Sequence, residues 1–127
     1  MTEVRADIYR NTFPKTERLY KKKLIQELFD KGSSFYLYPF KVIYFDTKEE
    51  SVPNQVLFSV SKRKFKTAVA RNRIKRQLRE GYRLNKRLAG TSGYLIAFIY
   101  TADKQQESRM IHKKMVKALQ KLAQLHA

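Results

Sequence analysis

A chain of 127 residues is the length of one domain, with 43% hydrophobic and 13% aromatic residues to build a single core. Against 11 Asp and Glu stand 28 Lys and Arg, a formal charge of +17, and so much like charge on one small fold calls for a polyanionic partner, nucleic acid before a membrane surface. The absence of cysteine excludes disulfides, thiolate chemistry and cysteine-based zinc sites, no apolar run approaches the ~20 residues of a spanning helix, and the N-terminus shows no signal-peptide core, so a cytoplasmic location is expected.

Glycine and proline are scarce and no repeat or linker interrupts the chain, so residues 1–127 are expected to form one domain, with 1–12 a flexible N-terminal extension. Leu24, Ile25, Leu28 and Phe29 recur at helical spacing and Gly32 follows as a stop, which predicts a short amphipathic helix from about Lys21 to Lys31. Phe35 to Asp46 is rich in aromatic and β-branched residues with Pro39 inside it. That pattern predicts a short edge segment and then a true strand from Phe40. The acidic, turn-rich stretch from Thr47 to Asn54 predicts a hairpin loop, with Gln55 to Lys62 returning as the next strand.

Thr67 is a candidate N-cap for a helix that reaches about Leu84. On a helical wheel, Ala70, Ile74, Leu78 and Gly81 gather on one side for packing, while Asn72, Arg76, Arg79 and Arg83 gather on another for binding. Glycine inside a helix costs up to about 1 kcal/mol relative to alanine, which is understood at Gly81 if the helix lies close against the sheet there. After a turn from Gly90 to Gly93, the apolar run Tyr94 to Tyr100 predicts a buried central strand. Ser108 to about Leu125 predicts a last amphipathic helix packed through Met115, Leu119 and Leu122. The expected order is α, β, β, α, β, α, with a short extra strand before Phe40. His112 and His126, in a basic helix and at the tail, read as solvent-exposed side chains rather than metal ligands or general bases.

One segment concentrates the charge. From Lys62 to Arg87 there are twelve Lys or Arg and a single acid, Glu80, where an even spread would place about six cations. A solvated helix face ordinarily mixes signs to gain i to i+4 pairs, whereas here like charges stack at that spacing. A phosphate backbone removes the repulsion, and arginine adds bidentate forks to phosphate oxygens and stacking on bases.

Within that segment, Ser59 to Glu80 reads SVSKRKFKTAVARNRIKRQLRE. The string resembles the signature of the bacterial ribonuclease P protein subunit: a strand ending in Ser-Val-Ser-Lys, a basic loop, and a helix carrying Arg71-Asn72-Arg73, continued by Ile74-Lys75-Arg76 and Arg79. Phe13-Pro14-Lys15 with Glu17-Arg18-Leu19 resembles that family's N-terminal segment. Phe29 to Gly32 resembles its first helix end, Phe40 its next strand, and Tyr94 to Ile99 its final strand.

The resemblance implies an α+β fold, a two-layer α/β sandwich with a mixed four-stranded sheet, ribosomal protein S5 domain 2-like. It also implies a left-handed β-α-β crossover, against the general right-handed rule. The implied role is that of accessory subunit in an endoribonuclease whose catalytic RNA, working with Mg²⁺, removes the 5′ leader from precursor tRNA. On that basis the chain supplies no catalytic residue and no metal or cofactor site of its own, and its partners are the catalytic RNA and precursor tRNA, without a membrane or an obligate protein partner.

By the same resemblance Lys62, Arg63, Arg71, Asn72, Arg73, Lys75, Arg76 and Arg79 contact the catalytic RNA, Asn72 through hydrogen bonds and the cations through phosphate. Ile25, Phe29 and Ile43 line the cleft for the single-stranded leader. Two of these three are aliphatic where the family often has aromatics, and the neighbouring Tyr44 is expected on the opposite sheet face. The Lys64-Phe65-Lys66-Thr67 loop lacks the family's common Gly-Asn pair, and Tyr100 stands where an arginine commonly closes the last strand.

A ribosomal or ribosome-assembly protein is the alternative, sharing the size, charge and lack of catalytic groups. A helix-turn-helix DNA regulator fits less well, because a strand precedes the basic helix and no dimer-forming stripe is evident. A protein-only nuclease would need acids or histidines placed as a catalytic or metal cluster, and the sequence shows no such arrangement.

Overall fold

In the computed structural model, which describes residues 12–126, a 3-10 turn at Lys15–Glu17 precedes α1 (Lys22–Lys31), β1 (Ser33–Leu37), β2 (Phe40–Asp46), β3 (Gln55–Val60) and α2 (Ala68–Asn85). A second 3-10 turn at Lys86–Ala89, then β4 (Tyr94–Tyr100) and α3 (Ser108–His126), follow among the described residues. The expected helices and strands are all present, including the short strand before Phe40. The expectation for residues 1–12 falls, apart from Thr12, outside the described residues.

The strand order is β1-β2-β4-β3, with β3 and β4 parallel and the other pairs antiparallel. This corrects the hairpin expected between β2 and β3, which are not neighbours. The reason lies in β4: it is apolar throughout and nearly all buried, so it takes an interior place with both edges paired and both faces covered. β3 alternates buried and half-buried residues and takes an edge. The hairpin that does form joins β1 to β2 through a cis Tyr38–Pro39 peptide, with Leu37 opposite Phe40.

Residues 47–54 instead fold onto the turn before β4. Thr47 donates to the Gly93 carbonyl through both its backbone N–H (3.1 Å) and its hydroxyl (2.6 Å), and the Gly93 N–H donates to Val52 O at 2.7 Å. Gly93 has φ of 70°, and a Cβ there would collide with the backbone of Glu49. Only glycine suits both demands.

Side-chain alternation divides the sheet into two faces. On one, α2 and α3 cover a core that includes Phe40, Val42, Phe58, Ile74, Leu78, Tyr82, Phe98, Ile111, Met115, Leu119 and Leu122. Phe98 stands at its centre, with ring centroids 5.7 Å from both Phe40 and Phe58 and 6.1 Å from Tyr82. The N-terminal segment closes one side: Phe13 packs edge-on against Phe58 and Tyr82, and Lys86 meets Glu17 at 2.8 Å. On the other face the shorter α1 buries Leu28 against Ile43, Leu95 and Ala97 beside Leu19. α1 ends where Gly32 turns to extended backbone, and a Cβ there would strike the Leu28 carbonyl and crowd Ile43.

Gly81 serves a different contact from the one expected. A Cβ on it would lie 3.1 Å from His112 Cδ2 and 3.3 Å from Met115 Cβ, so the close approach is between α2 and α3 rather than between α2 and the sheet. Gly81→Val is expected to lower stability by about 1–3 kcal/mol through overpacking, read as a lower midpoint in denaturant unfolding. A midpoint equal to wild type would show that the helices separate freely. The histidines are also more engaged than their positions suggested. His112 is half-buried at this helix crossing, and exposed His126 places Nδ1 2.9 Å from the Tyr94 hydroxyl.

Candidate nucleic-acid interface

The basic helix is built to hold its charges outward. Thr67 caps it as expected, its hydroxyl accepting from Ala70 N–H at 3.2 Å, and Ile74, Leu78, Gly81 and Tyr82 are buried on the packing side. On the opposite side Asn72, Arg73, Arg76 and Arg79 are exposed, while Lys75 is half-buried at the margin. Lys62 and Arg63, also exposed, follow the end of β3. Among the described residues none of these cations forms an ion pair with a carboxylate.

The single acid of the segment is already engaged. Glu80 accepts from Arg83 twice, at 2.7 Å from Nε and 3.0 Å from Nη2. That pair of hydrogen bonds holds its carboxyl below the usual range. The ridge therefore faces solvent as nearly pure positive charge.

Arg71 has a structural duty beside the binding one assigned from sequence. It is half-buried, and its Nη1 donates to Phe65 O at 2.7 Å and to Lys66 O at 3.1 Å. It thereby ties the loop between β3 and α2 to the helix. Ser61 accepts from the N–H groups of Arg63 and Lys64, and Phe65 packs its ring on Tyr100 at 5.9 Å. Tyr100 itself is buried, donating to Lys104 O at 2.6 Å and accepting from Gln106 N–H. A tyrosine at the end of β4 thus anchors both loops beside the ridge.

The three cleft residues have different fates. Phe29 is 47% exposed on α1, Ile25 is half-buried, and Ile43 is buried beneath the helix. Tyr44 faces the other side of the sheet, stacked on Tyr94 at 6.5 Å, as alternation required.

Register brings in residues that the sequence did not single out. Tyr36 pairs with Lys41, Lys41 with Ile99, and Ile99 with Ser59, so these four form one row across the sheet. Each lies two residues along its strand from the row that contains Ile43, hence on the same face, just beyond the cover of α1. Tyr36 is 58% exposed, and its hydroxyl accepts from Thr101 Oγ1 at 3.2 Å, which holds the ring in place. The alternation Phe35-Tyr36-Leu37 already separated Tyr36 from its neighbours. Which face it joined depended on the pairing with β2. Tyr36 is therefore an exposed ring on this open floor, which runs through Lys41 and Ile99 to Ser59, shortly before Lys62 and Arg63, while Phe29 is exposed on α1, the helix that covers the neighbouring row.

Among the described residues no group of three or more histidine, cysteine or acidic side chains is placed to hold a metal ion, and no helix is long and apolar enough to cross a membrane. The Ribonuclease P family matches residues 13–123. The ribonuclease P protein component of Porphyromonas gingivalis (strain ATCC 33277) is 36% identical over 116 residues, which span 86% of this chain and 85% of that protein.

The chain belongs to the ribonuclease P protein family. The RNase P protein of Staphylococcus aureus superimposes with a TM-score of 0.70 at 26% identity, over 89% of this chain and all of that one. The Thermotoga maritima RNase P protein shares the fold, with a TM-score of 0.71 at 22% identity over 83% of this chain and 96% of that one. As a ribonuclease P protein component the chain belongs to an endoribonuclease that acts in tRNA 5′ processing, with RNase P RNA as its partner. The ribosomal alternative is not favoured.

Proposed function

We propose that the chain binds the catalytic RNA through the α2 ridge and the 5′ leader of precursor tRNA through the open floor beside α1, and so assists endonucleolytic removal of the leader. The observation that carries this is the ridge: Arg73, Arg76 and Arg79 stand exposed, without carboxylate partners among the described residues, on a helix whose other side is locked into the core. Lys62, Arg63 and Lys75 extend the contact, Asn72 supplies hydrogen bonds, and Arg71 also holds the adjoining loop. Mg²⁺ belongs to the RNA subunit, which performs the hydrolysis; the protein contributes position and charge. The holoenzyme works in the cytoplasm.

Reconstitution tests this directly. With the RNA subunit from the same source, adding the protein is expected to permit leader removal at Mg²⁺ concentrations where the RNA alone is slow. Equal cleavage with and without protein sinks the proposal.

The leader contact has its own test. Base stacking on a ring is worth about 1–3 kcal/mol, so Phe29→Ala and Tyr36→Ala are each expected to weaken precursor tRNA binding to the holoenzyme by about tenfold, leaving mature tRNA unaffected. A precursor-to-mature affinity ratio unchanged in both variants removes the floor from the leader path.

A further inference from the structure

We propose that the outer face of α3 is a second phosphate-docking surface, seating a backbone of the RNA subunit apart from the one held by α2. This rests on the RNA partnership described above and adds a site that the family signature does not include.

The observation is a second cationic ladder. Arg109, Lys113, Lys117 and Lys121 recur every four residues and are all exposed, so they climb one side of α3 in steps of about 6 Å. Half-buried Lys114 lies beside them. Over the whole of Ser108–His126 there is no acidic residue. Among the described residues none of these cations has a carboxylate partner; Lys121 instead rests its ammonium 4.7 Å from the centroid of the Phe35 ring.

The contrast within the same molecule is informative. α1 is also lysine-rich, yet it interleaves acids and satisfies them along the helix: Lys31 with Glu27, and Gln26 with Asp30. That is how a solvated face relieves like-charge repulsion. α3 accepts the repulsion, and even sets Arg109 in its first turn, where the helix dipole disfavours a cation.

The chemistry of the stripe selects its occupant. A helix lying on a membrane needs a free apolar face, but Ile111, Met115, Ala118, Leu119 and Leu122 are fully buried in the core. A protein interface centres on apolar anchors and is depleted of charge, whereas from Arg109 to Lys121 the exposed residue that is not a cation is Gln120, and the exposed apolar Leu125 stands beyond the last rung. A phosphate backbone requires neither. Placement selects the RNA: α3 packs on the same sheet face as α2, opposite to α1 and the Tyr36 row, so it lies on the side of the RNA subunit and away from the leader. Three of the four rungs are lysines, point charges without arginine's fork, which suits docking against a backbone and not the reading of a particular geometry.

The test is a full-length variant carrying Arg109→Gln, Lys113→Gln, Lys117→Gln and Lys121→Gln, titrated with the RNA subunit alone over a range of salt. The slope of log affinity against log salt is expected to shrink by about 3, with affinity about tenfold or more weaker at physiological ionic strength. Circular dichroism and the thermal midpoint are expected to match or exceed wild type, since repulsion has been removed. Lys113→Arg, Lys117→Arg and Lys121→Arg together should keep the wild-type slope. If the fourfold variant melts early, Lys113→Gln with Lys117→Gln decides instead, at about half the slope change. A folded variant with wild-type slope and affinity overturns the site. Leader removal by the unmodified chain reads the family role separately, so an RNA subunit that supports leader removal with that chain but binds the folded α3 variants with wild-type slope and affinity refutes this surface alone.

Discussion

Replacing Arg73, Arg76 and Arg79 together with glutamine is expected to weaken binding of the RNA subunit by about a hundredfold at physiological ionic strength and to lower the salt slope by about 2–3. All three side chains are exposed, without carboxylate partners among the described residues, and on the side of α2 away from the core. Glutamine has nearly arginine's helix propensity, so α2 should form and Ile74, Leu78 and Tyr82 should pack as before. The lost quantities are counter-ion release and the bidentate fork, which exceeds what a lysine contributes at the same place. Filter or fluorescence binding over a salt series reads the slope, and circular dichroism reads the fold. A wild-type slope in a folded protein would show that the ridge is merely solvated.

The largest stability effect is expected at Phe98. It is fully buried on the central strand and touches rings contributed by β2, β3 and α2, namely Phe40, Phe58 and Tyr82. Phe98→Ala removes the ring and leaves a cavity that four elements border but none can fill without breaking the sheet register. The expected loss is about 3–5 kcal/mol. That lowers the thermal midpoint on the order of 10–20 °C for a chain of this size, measurable by calorimetry. Because the same core fixes the direction of α2, RNA binding should fall in parallel as the unfolded fraction rises, and saturating RNA should restore part of the midpoint by mass action. A midpoint within a few degrees of wild type, by the same scale, would place the core elsewhere.

Much of this molecule was legible in local pattern. Thr67 before an apolar periodicity, the unbroken run from Tyr94 to Tyr100 and the spacing of Leu24, Ile25, Leu28 and Phe29 each located an element that exists. The ridge was legible for the same reason: on a helix, faces follow from residue spacing alone, so Asn72, Arg76 and Arg79 had to share a side once the helix was placed.

Neighbours across the sheet were not legible. A turn-rich loop between β2 and β3 signals that the chain reverses, but pairing is decided by which strand must be buried on every side. β4, arriving later in sequence, took the place beside both. The same global choice put Tyr36 and Lys41 beside the floor that borders α1, and set Gly81 against α3 instead of the sheet. The Arg71-Asn72-Arg73 string points Arg71 toward RNA, while its bonds to Phe65 and Lys66 depend on a loop path that charge counting does not reveal. Sequence by itself determined the elements, the cationic helix and the kind of partner, because these depend on spacing and composition. Tertiary structure alone decided strand order, which rings border the floor and which cations brace the protein, because burial is shared among segments distant along the chain.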